Sequence, residues 1–519
     1  MTKILAVIGV LLYALAVASA TKVFSKRLQG QQSSKPHIVF MMVDDWGWAD
    51  VGYHLNTSSK EVVTPNIDSL VKKGVQLDQH YVFNWCSPTR SAFLTGRVPI
   101  HVNDVTTGET IYNPNDPVSG FDGIPRNMTG IGTKMKEGGY ATHMVGKWDA
   151  GMATPDHTPQ GRGFDTSLNY FYHANDYYDE TSGNCNKTHI VDLWDTDKPA
   201  NSLNGTGPDG NYEEGLFKER ILQIIKNHDP STPLFLYYAA HIVHRPYQVP
   251  DKYLNKFSFI DEQYRRVYLA MVNYLDDVVG EIVQALKDKG LWDNLLFVAS
   301  SDNGGPERSN FGGNNYPLKG GKWTDWQGGV RVNSFASGGY LPKSMQGQKT
   351  DGYIHIADWY ATFSSLAGVD PTDDRAAKAK LPPIDSLNVW PLISGQNSTS
   401  PRVDIPISNS TLISGQYKIL TGNVEQAGWT GPVYPNTTKP SGISAVEHCG
   451  DSGCLYNIMD DPEERTNLAE KMPDVLKEMQ TKLAKYQASR FNPDRGKTAL
   501  AACQTALDVY HGFWGPFIP

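Results

Sequence analysis

Cys86-Ser87-Pro88-Thr89-Arg90, running on through Ser91-Ala92-Phe93-Leu94-Thr95-Gly96-Arg97, places a reactive side chain one helical turn from a guanidinium. Ser87 suits a helix N-cap and Pro88 the first helical position, so Cys86 is expected at the mouth of a short helix. Unpaired N–H groups and a partial positive charge gather there and favour an anion. Arg90 adds a fixed fork of donors that suits a tetrahedral oxyanion. The plain reading of such a cysteine is a disulfide half or a small buried apolar residue. Its flanks describe instead a reactive group in an anion cradle.

Two further pairs, Asp44-Asp45 and Asp302-Asn303, carry oxygen donors. Carboxylate and amide oxygens without thiolate or imidazole partners suit a hard cation, Ca²⁺ or Mg²⁺. Taken singly, each pair reads equally well as a helix cap or a turn.

The elements around them make the stronger reading possible. Residues 37–43, 141–145, 234–239 and 295–301 are apolar runs without alternation, the pattern of strands buried on both faces of a parallel sheet. Asp44-Asp45 and Asp302-Asn303 follow two of these runs directly, and open α/β sheets bind ligands at the C-terminal ends of their strands. Helices are predicted over residues 65–73, stopped by Gly74, and 261–289, stopped by Gly290. The second carries Tyr268, Met271, Leu275, Val278, Val279, Ile282 and Leu286 at helical spacing, a core-facing stripe. A Gly- and Trp-rich loop at 311–331 can bring backbone close to a ligand. Helix and strand patterns alternate to about residue 366 and predict an α/β domain. From about residue 397 short strands and turns lead to an amphipathic helix at 474–488. The organisation expected is a leader at 1–20, a polar segment at 21–36, a catalytic domain at 37–396 and a smaller α+β domain at 397–519.

The Cys86 stretch resembles the signature of the type I, formylglycine-dependent sulfatases, Cys-x-Pro-x-Arg followed by Leu-Thr-Gly-Arg, at every defining position. Further landmarks are Arg162-Gly163-Phe164-Asp165, Asp302-Asn303-Gly304-Gly305, Gly328-Gly329-Val330-Arg331 and Asp358-Trp359-Tyr360-Ala361-Thr362. The resemblance spans residues 37–469, and the 244–253 and 318–331 segments look most like the arylsulfatase B, N-acetylgalactosamine-4-sulfatase, branch. It implies an alkaline-phosphatase-like fold with a large, mostly parallel sheet flanked by helices. It also implies hydrolysis of aryl or carbohydrate sulfate esters to alcohol and inorganic sulfate. Cys86 would be converted to formylglycine by the formylglycine-generating enzyme during secretion. One hydroxyl of the hydrated aldehyde would attack sulfur, and the second would lose its proton to release sulfate.

The same resemblance places Asp44, Asp45, Asp302, Asn303 and the oxygen at position 86 around one cation, Ca²⁺ ahead of Mg²⁺. Lys147 in Gly146-Lys147-Trp148, His244 in Val243-His244-Arg245-Pro246 and Lys322 in Gly320-Gly321-Lys322-Trp323 would hold the sulfate oxygens. Arg90 would tie the diol to the metal site. His241 and Lys319 lie close in sequence to two of these, and motif spacing alone selects His244 and Lys322. Outside such a motif, a lysine is ordinarily a solvated charge and a lone histidine a satisfied structural residue. One position departs from the family. Asp149 stands where its relatives carry a histidine that serves as the base for sulfate release. A carboxylate is a weaker base unless burial raises its pKa, and His157 and His173 are the imidazoles available to replace it.

With 519 residues and a formal net charge of -8, the chain can bury a large core and does not suit nucleic acid. A basic cleft for a sulfated small molecule or saccharide remains compatible with that balance. Lys3, the apolar run at 4–17 and Ala18-Ser19-Ala20 read as a signal peptide, and no later run is apolar for long enough to span a membrane. Sequons at Asn56, Asn127, Asn186, Asn204, Asn397, Asn409 and Asn436 agree with passage through the endoplasmic reticulum to the exterior or the lysosome. Besides Cys86, four cysteines remain, and the short spacing of Cys449 and Cys454 predicts that pair, leaving Cys185 with Cys503. Two rivals stand beside a sulfatase: a phosphate or phosphonate ester hydrolase of the same superfamily, and a secreted sulfate-ester-binding protein without turnover.

Overall fold

The chain is described by a computed structural model over residues 35–55, 60–432 and 444–519; the expected leader, nearly all of the polar segment and the sequons at Asn56 and Asn436 lie outside them. Strand β1 (His37–Val43) explains how an apolar run without alternation arises. Ile38, Phe40 and Met42 enter one hydrophobic core, while Val39, Met41 and Val43 enter another on the opposite face of the sheet. Successive side chains still alternate between faces, but both faces are buried.

The main sheet has ten strands. In chain order they are β1, β2 (Val75–Leu77), β3 (Ala141–Lys147), β4 (Thr166–Tyr170), β5 (Trp194–Asp195), β6 (Lys198–Pro199), β7 (Leu234–Ala240), β8 (Leu295–Ser301), β9 (Ser334–Ser337) and β10 (Gln348–Thr350). Their order across the sheet is β6-β5-β4-β3-β7-β1-β8-β9-β2-β10. The run β4-β3-β7-β1-β8 is parallel throughout, with antiparallel strands on either side of it. This is the large, mostly parallel sheet expected. Its parallel centre sends residues 44–45, 241–244, 148–149, 171–173 and 302–303 out at one edge.

Helices cover both faces. Helix α1 (Pro65–Lys72) and the long α3 (Gln263–Asp288) pack on one, with the apolar stripe of α3 buried as its spacing requires. The α3 N-cap is Glu262, whose carboxylate accepts the Arg265 amide at 2.6 Å, so the helix is two residues shorter at its start than the periodicity suggests. On the other face Phe93 of α2 (Cys86–Thr95) stacks on Phe40 of β1 at 4.1 Å. Gly96, at φ 69, ends α2; a side chain there would meet the Tyr360 ring at 2.7 Å.

The smaller C-terminal unit is an antiparallel sheet of β11 (Asp404–Ser408), β12 (Thr411–Ser414), β13 (Tyr417–Val424) and β14 (Glu447–Asn457). Helix α4 (Pro473–Ala488) covers one face through Met479 and Leu483. The other face meets Tyr81, Trp326 and Tyr353 of the large domain. After α4 the chain leaves this sheet. Helix α5 (Leu500–Asp508), with Trp514 and Phe517, packs into the core of the large domain. Cys503 bonds Cys185 there, and Cys449 bonds Cys454, the two pairs predicted. Cys86 is the free cysteine among the described residues.

Candidate active site

Helix α2 delivers Cys86 into the strand-end cluster. The helix begins at Cys86 itself, with Trp85 in extended conformation as its N-cap, and not at Pro88 as the local sequence suggested. Ser87 is no cap because its hydroxyl is committed elsewhere. It donates to Asp149 Oδ1 at 2.8 Å and accepts the Thr107 amide at 3.1 Å. The Cys86 thiol donates to Asp44 Oδ1 at 3.3 Å and approaches Asn303 Oδ1 at 3.5 Å. Burial first, then the Asp302 and Asp44 charges, push that thiol well above its ordinary pKa.

Arg90, fully buried, ties three strands together. Its Nε and Nη2 donate to Asp302 Oδ2 at 3.1 and 2.7 Å, its Nη1 donates to the Lys147 carbonyl at 3.1 Å, and Nη2 lies 3.7 Å from Asp44 Oδ2. Burial alone would lower the guanidinium pKa, but Asp302 and Asp44 outweigh it and raise it. Lys147 Nζ donates to Asp44 Oδ2 at 2.6 Å, and Lys322 Nζ sits 2.6 Å from Asp45 Oδ1. Both ammonium groups are raised for the same reason, nearby carboxylates overcoming desolvation. His244 Nε2 is 3.7 Å from Asp45 Oδ2, while its Nδ1 donates to the Arg245 carbonyl at 2.6 Å. Desolvation, then the Lys322 and Lys147 charges, lower the His244 imidazole well below its usual value.

Asp44, Asp45, Cys86, Arg90, Lys147, His244, Asp302, Asn303 and Lys322 therefore meet at one edge of the sheet. The two near neighbours do not belong to that cluster. His241 is bonded to Glu213 at 2.9 Å and stacked on Tyr177, and the Lys319 ammonium lies 3.7 Å over Trp326, facing the C-terminal sheet. Loop geometry makes the meeting possible. A side chain at Gly304 would lie 1.7 Å from the Gly328 carbonyl, so the 302–305 and 327–330 segments touch only because that residue is glycine.

The carboxylate oxygens fit a hard cation, but the ligand group differs from the one expected. Asp44, Asp45, Cys86 and His244 each bring one ligand atom within 4.8 Å of the others, so an imidazole joins the set. Both Asp302 oxygens already accept, Oδ2 from Arg90 and Oδ1 from the Asp45 amide at 3.2 Å. The Asp45 Oδ2 oxygen is buried without a hydrogen-bond partner, which is costly unless a cation answers it. Asn303 keeps its amide oxygen toward Cys86 by donating Nδ2 to Asp45 Oδ1 at 2.8 Å.

Asp149 enters from left-handed backbone at φ 48, one of the conformations proteins keep where local geometry is over-determined. Its Oδ1 accepts from His173 Nδ1 at 2.9 Å and from Ser87; its Oδ2 lies 3.8 Å from Lys147 Nζ and has no hydrogen-bond partner. Burial would raise this carboxyl, but His173 and Lys147 more than offset burial and hold it below the usual carboxylate value. The condition under which burial would make Asp149 a stronger base is therefore not met. His157 is elsewhere: its Nδ1 meets Thr154 Oγ1 at 2.8 Å and its ring packs on Phe121. Nothing local to His173 marks it in sequence, since its contact with Asp149 is made across 24 residues.

The sulfatase family matches residues 36–369. Arylsulfatase J of Mus musculus is 34% identical, covering 93% of this chain and 81% of its own. The N-acetylgalactosamine-6-sulfatase of the same organism is 31% identical over 74% of this chain and 71% of its own. Among solved structures, Ps i-CgsB in complex with k-i-k-neocarrahexaose superposes with a TM-score of 0.70 at 26% identity, covering 90% of this chain and 95% of that one. A phosphonate monoester hydrolase of Agrobacterium radiobacter shares the fold at 16% identity and a TM-score of 0.54, over 88% and 96% of the two chains. With its motifs gathered at one sheet edge and its family matched over most of its length, the chain belongs to the sulfatase family and is a sulfuric ester hydrolase.

Proposed function

We propose that the protein hydrolyses sulfate esters through formylglycine at position 86, beside a single Ca²⁺ held by Asp44, Asp45, Asp302 and Asn303. The observation that carries this reading is the contact of Cys86 with both Asp44 and Asn303 beneath Lys147 and Lys322. The Cys86 side chain stands in for the formylglycine oxygen. Hydrated formylglycine supplies the attacking hydroxyl, and the cation supplies charge to ionise it and to polarise a sulfate oxygen.

The chain's own residues do the rest. Lys147, Lys322 and His244 converge from three segments and would hold the remaining sulfate oxygens, which is electrostatic preorganisation around developing charge. Arg90 fixes Asp302 and Asp44 relative to α2. Asp149 Oδ2 is the free acceptor facing Lys147, and it is the group we assign to take the proton at the release step. His173, donating Nδ1–H to the other oxygen, orients the carboxylate. Asp149 and His173 together replace the single histidine of related enzymes.

Export through the endoplasmic reticulum, to the exterior or the lysosome, accords with the two disulfides. Asn186, Asn397 and Asn409 are exposed and open to glycosylation, whereas the Asn204 amide is bonded to Glu180 at 2.6 Å. The test is turnover of 4-nitrophenyl sulfate against 4-nitrophenyl phosphate by protein from a secretory host. Preference for the sulfate supports the reading, and preference for the phosphate favours the phosphoryl rival.

A further inference from the structure

The sulfate cradle opens into a cavity of about 390 Å³ whose inner end is Asp45, His244 and Lys322 and whose outer wall includes Arg245, Phe311 and Trp323. The three outer residues are not needed to hold a sulfate at Cys86. Arg245 is exposed, lies 4.6 Å over the Phe311 ring, and makes no ion pair among the described residues. Arg308, 5.0 Å over Trp323, differs in this respect, because Glu425 answers its charge at 2.7 Å. Arg245 therefore offers an uncompensated guanidinium at the mouth, stacked and weakly hydrated, the form that best takes a planar or tetrahedral oxyanion.

Its backbone is fixed. The Tyr177 hydroxyl donates to the His244 carbonyl at 3.1 Å, the His244 amide donates to His241 at 3.0 Å, and His244 Nδ1 donates to the Arg245 carbonyl. Trp323 is held in left-handed backbone at φ 72, with its amide bonded to the Asn84 carbonyl at 2.8 Å. A tryptophan in that region is a rare and strained choice, retained where surroundings over-determine it. Here it aims the indole edge-on to Phe311, ring centres 5.3 Å apart. The mouth thus pairs an apolar aromatic corner with the Arg245 guanidinium, which has no ion pair among the described residues.

We infer that Arg245, Phe311 and Trp323 form a subsite for the substrate beyond the scissile sulfate, and that it takes a saccharide ring bearing a second anionic group, sulfate or carboxylate. This rests on the inner cavity being the sulfate-ester site. The aromatic corner receives the C–H face of the ring, and the guanidinium receives the anion. A simple aryl sulfate spends its one charge in the cradle and leaves Arg245 unanswered.

The experiment compares kcat/KM of wild type and Arg245→Ala on 4-nitrophenyl sulfate and on a panel of galactose, glucose and hexosamine sugars. The panel carries one sulfate, two sulfates, or one sulfate beside a uronic acid. In wild type the doubly anionic sugars are preferred over singly sulfated ones, and Arg245→Ala lowers that preference about tenfold, the scale of one charge-assisted hydrogen bond. The two doubly charged arms separate a sulfate from a carboxylate partner. Raising ionic strength shrinks the preference in wild type and not in the variant. Arg245→Lys retains part of it. An equal effect of Arg245→Ala on all substrates, or none, overturns the subsite. So does a wild type that turns over 4-nitrophenyl sulfate while none of the sugars is cleaved or competes. Failure to cleave 4-nitrophenyl sulfate and sugars alike rejects the sulfatase reading itself.

Discussion

Lys147 stands between two carboxylates, 2.6 Å from Asp44 and 3.8 Å from Asp149, and the protein treats the two sides differently. On the Asp44 side each carboxylate faces a fixed cationic side chain, with Asp45 Oδ2 left open for a metal ion: Arg90 answers Asp302 and Asp44, Lys147 answers Asp44, and Lys322 answers Asp45. Those groups are buried. On the Asp149 side a single carboxylate is shared between a serine and a partly exposed histidine, and one of its oxygens is left free. The first arrangement suits permanent charge, a cation and a bound sulfate. The second suits a proton that must arrive and leave.

The largest effect should come from unbalancing the first side. Asp302→Asn keeps the size of the side chain but removes a charge from the cation and from Arg90. Bound metal and turnover are expected to fall together by more than about a hundredfold, beyond what a change in an outer-shell partner brings. Metal analysis and steady-state rates check this, and full activity after exhaustive chelation would contradict it. Because breaking a buried ion pair costs about 3–5 kcal/mol, the variant's melting temperature must be read alongside.

Asp149→Asn tests the second side. It can hold a hydrogen bond but accepts no proton, so one equivalent of alcohol per active site should appear quickly, followed by a steady rate about 100- to 10,000-fold below wild type. Equal slowing of both phases would assign Asp149 to substrate binding. His173→Gln is expected to act more mildly. The Asp149 carboxyl is held below the ordinary range, so it stays ionised through mildly acidic pH. An acid limb in that range therefore belongs to another group. A release phase left unchanged by His173→Gln would show that the histidine does not orient Asp149.

The contrast between the sides also describes what the sequence made legible. The parallel core and the acidic pairs were readable because β1 and β8 are buried on both faces and end directly in Asp44-Asp45 and Asp302-Asn303. A signature of fixed spacing marked Cys86 and Arg90. The Asp149 side was not readable in the same way. Ser87 looked like a cap because its commitment to Asp149 spans 62 residues, and the charges that lower Asp149 come from His173 and from Lys147. The chain's return to the large domain after α4 was legible only through Cys503, whose predicted bond to Cys185 carries α5 there; the apolar pattern of α5 by itself gives no sign of which core it joins.

The smallest predicted effect is on stability. Burial raises Asp192 and Glu214 to about 7 and Glu307 to about 8. A raised folded-state pKa favours folding below the unfolded value of roughly 4 and gives that advantage up as pH climbs to the folded one. Buried histidines lowered by desolvation, among them His37, His54 and His143 at about 4, act in the opposite sense as pH falls below about 6.5. The carboxyl contribution is therefore read by difference: between pH 5 and pH 8 the melting temperature of wild type should move downward relative to that of Glu307→Gln, and parallel profiles for the two proteins would contradict it.

The central claim is that residue 86 does its chemistry as an aldehyde and not as a thiol. Peptide mass spectrometry of active protein from a eukaryotic secretory host examines it directly. The peptide containing position 86 is predicted to carry formylglycine or its hydrate in proportion to specific activity. Fully active protein in which that peptide retains an intact cysteine thiol would contradict the account.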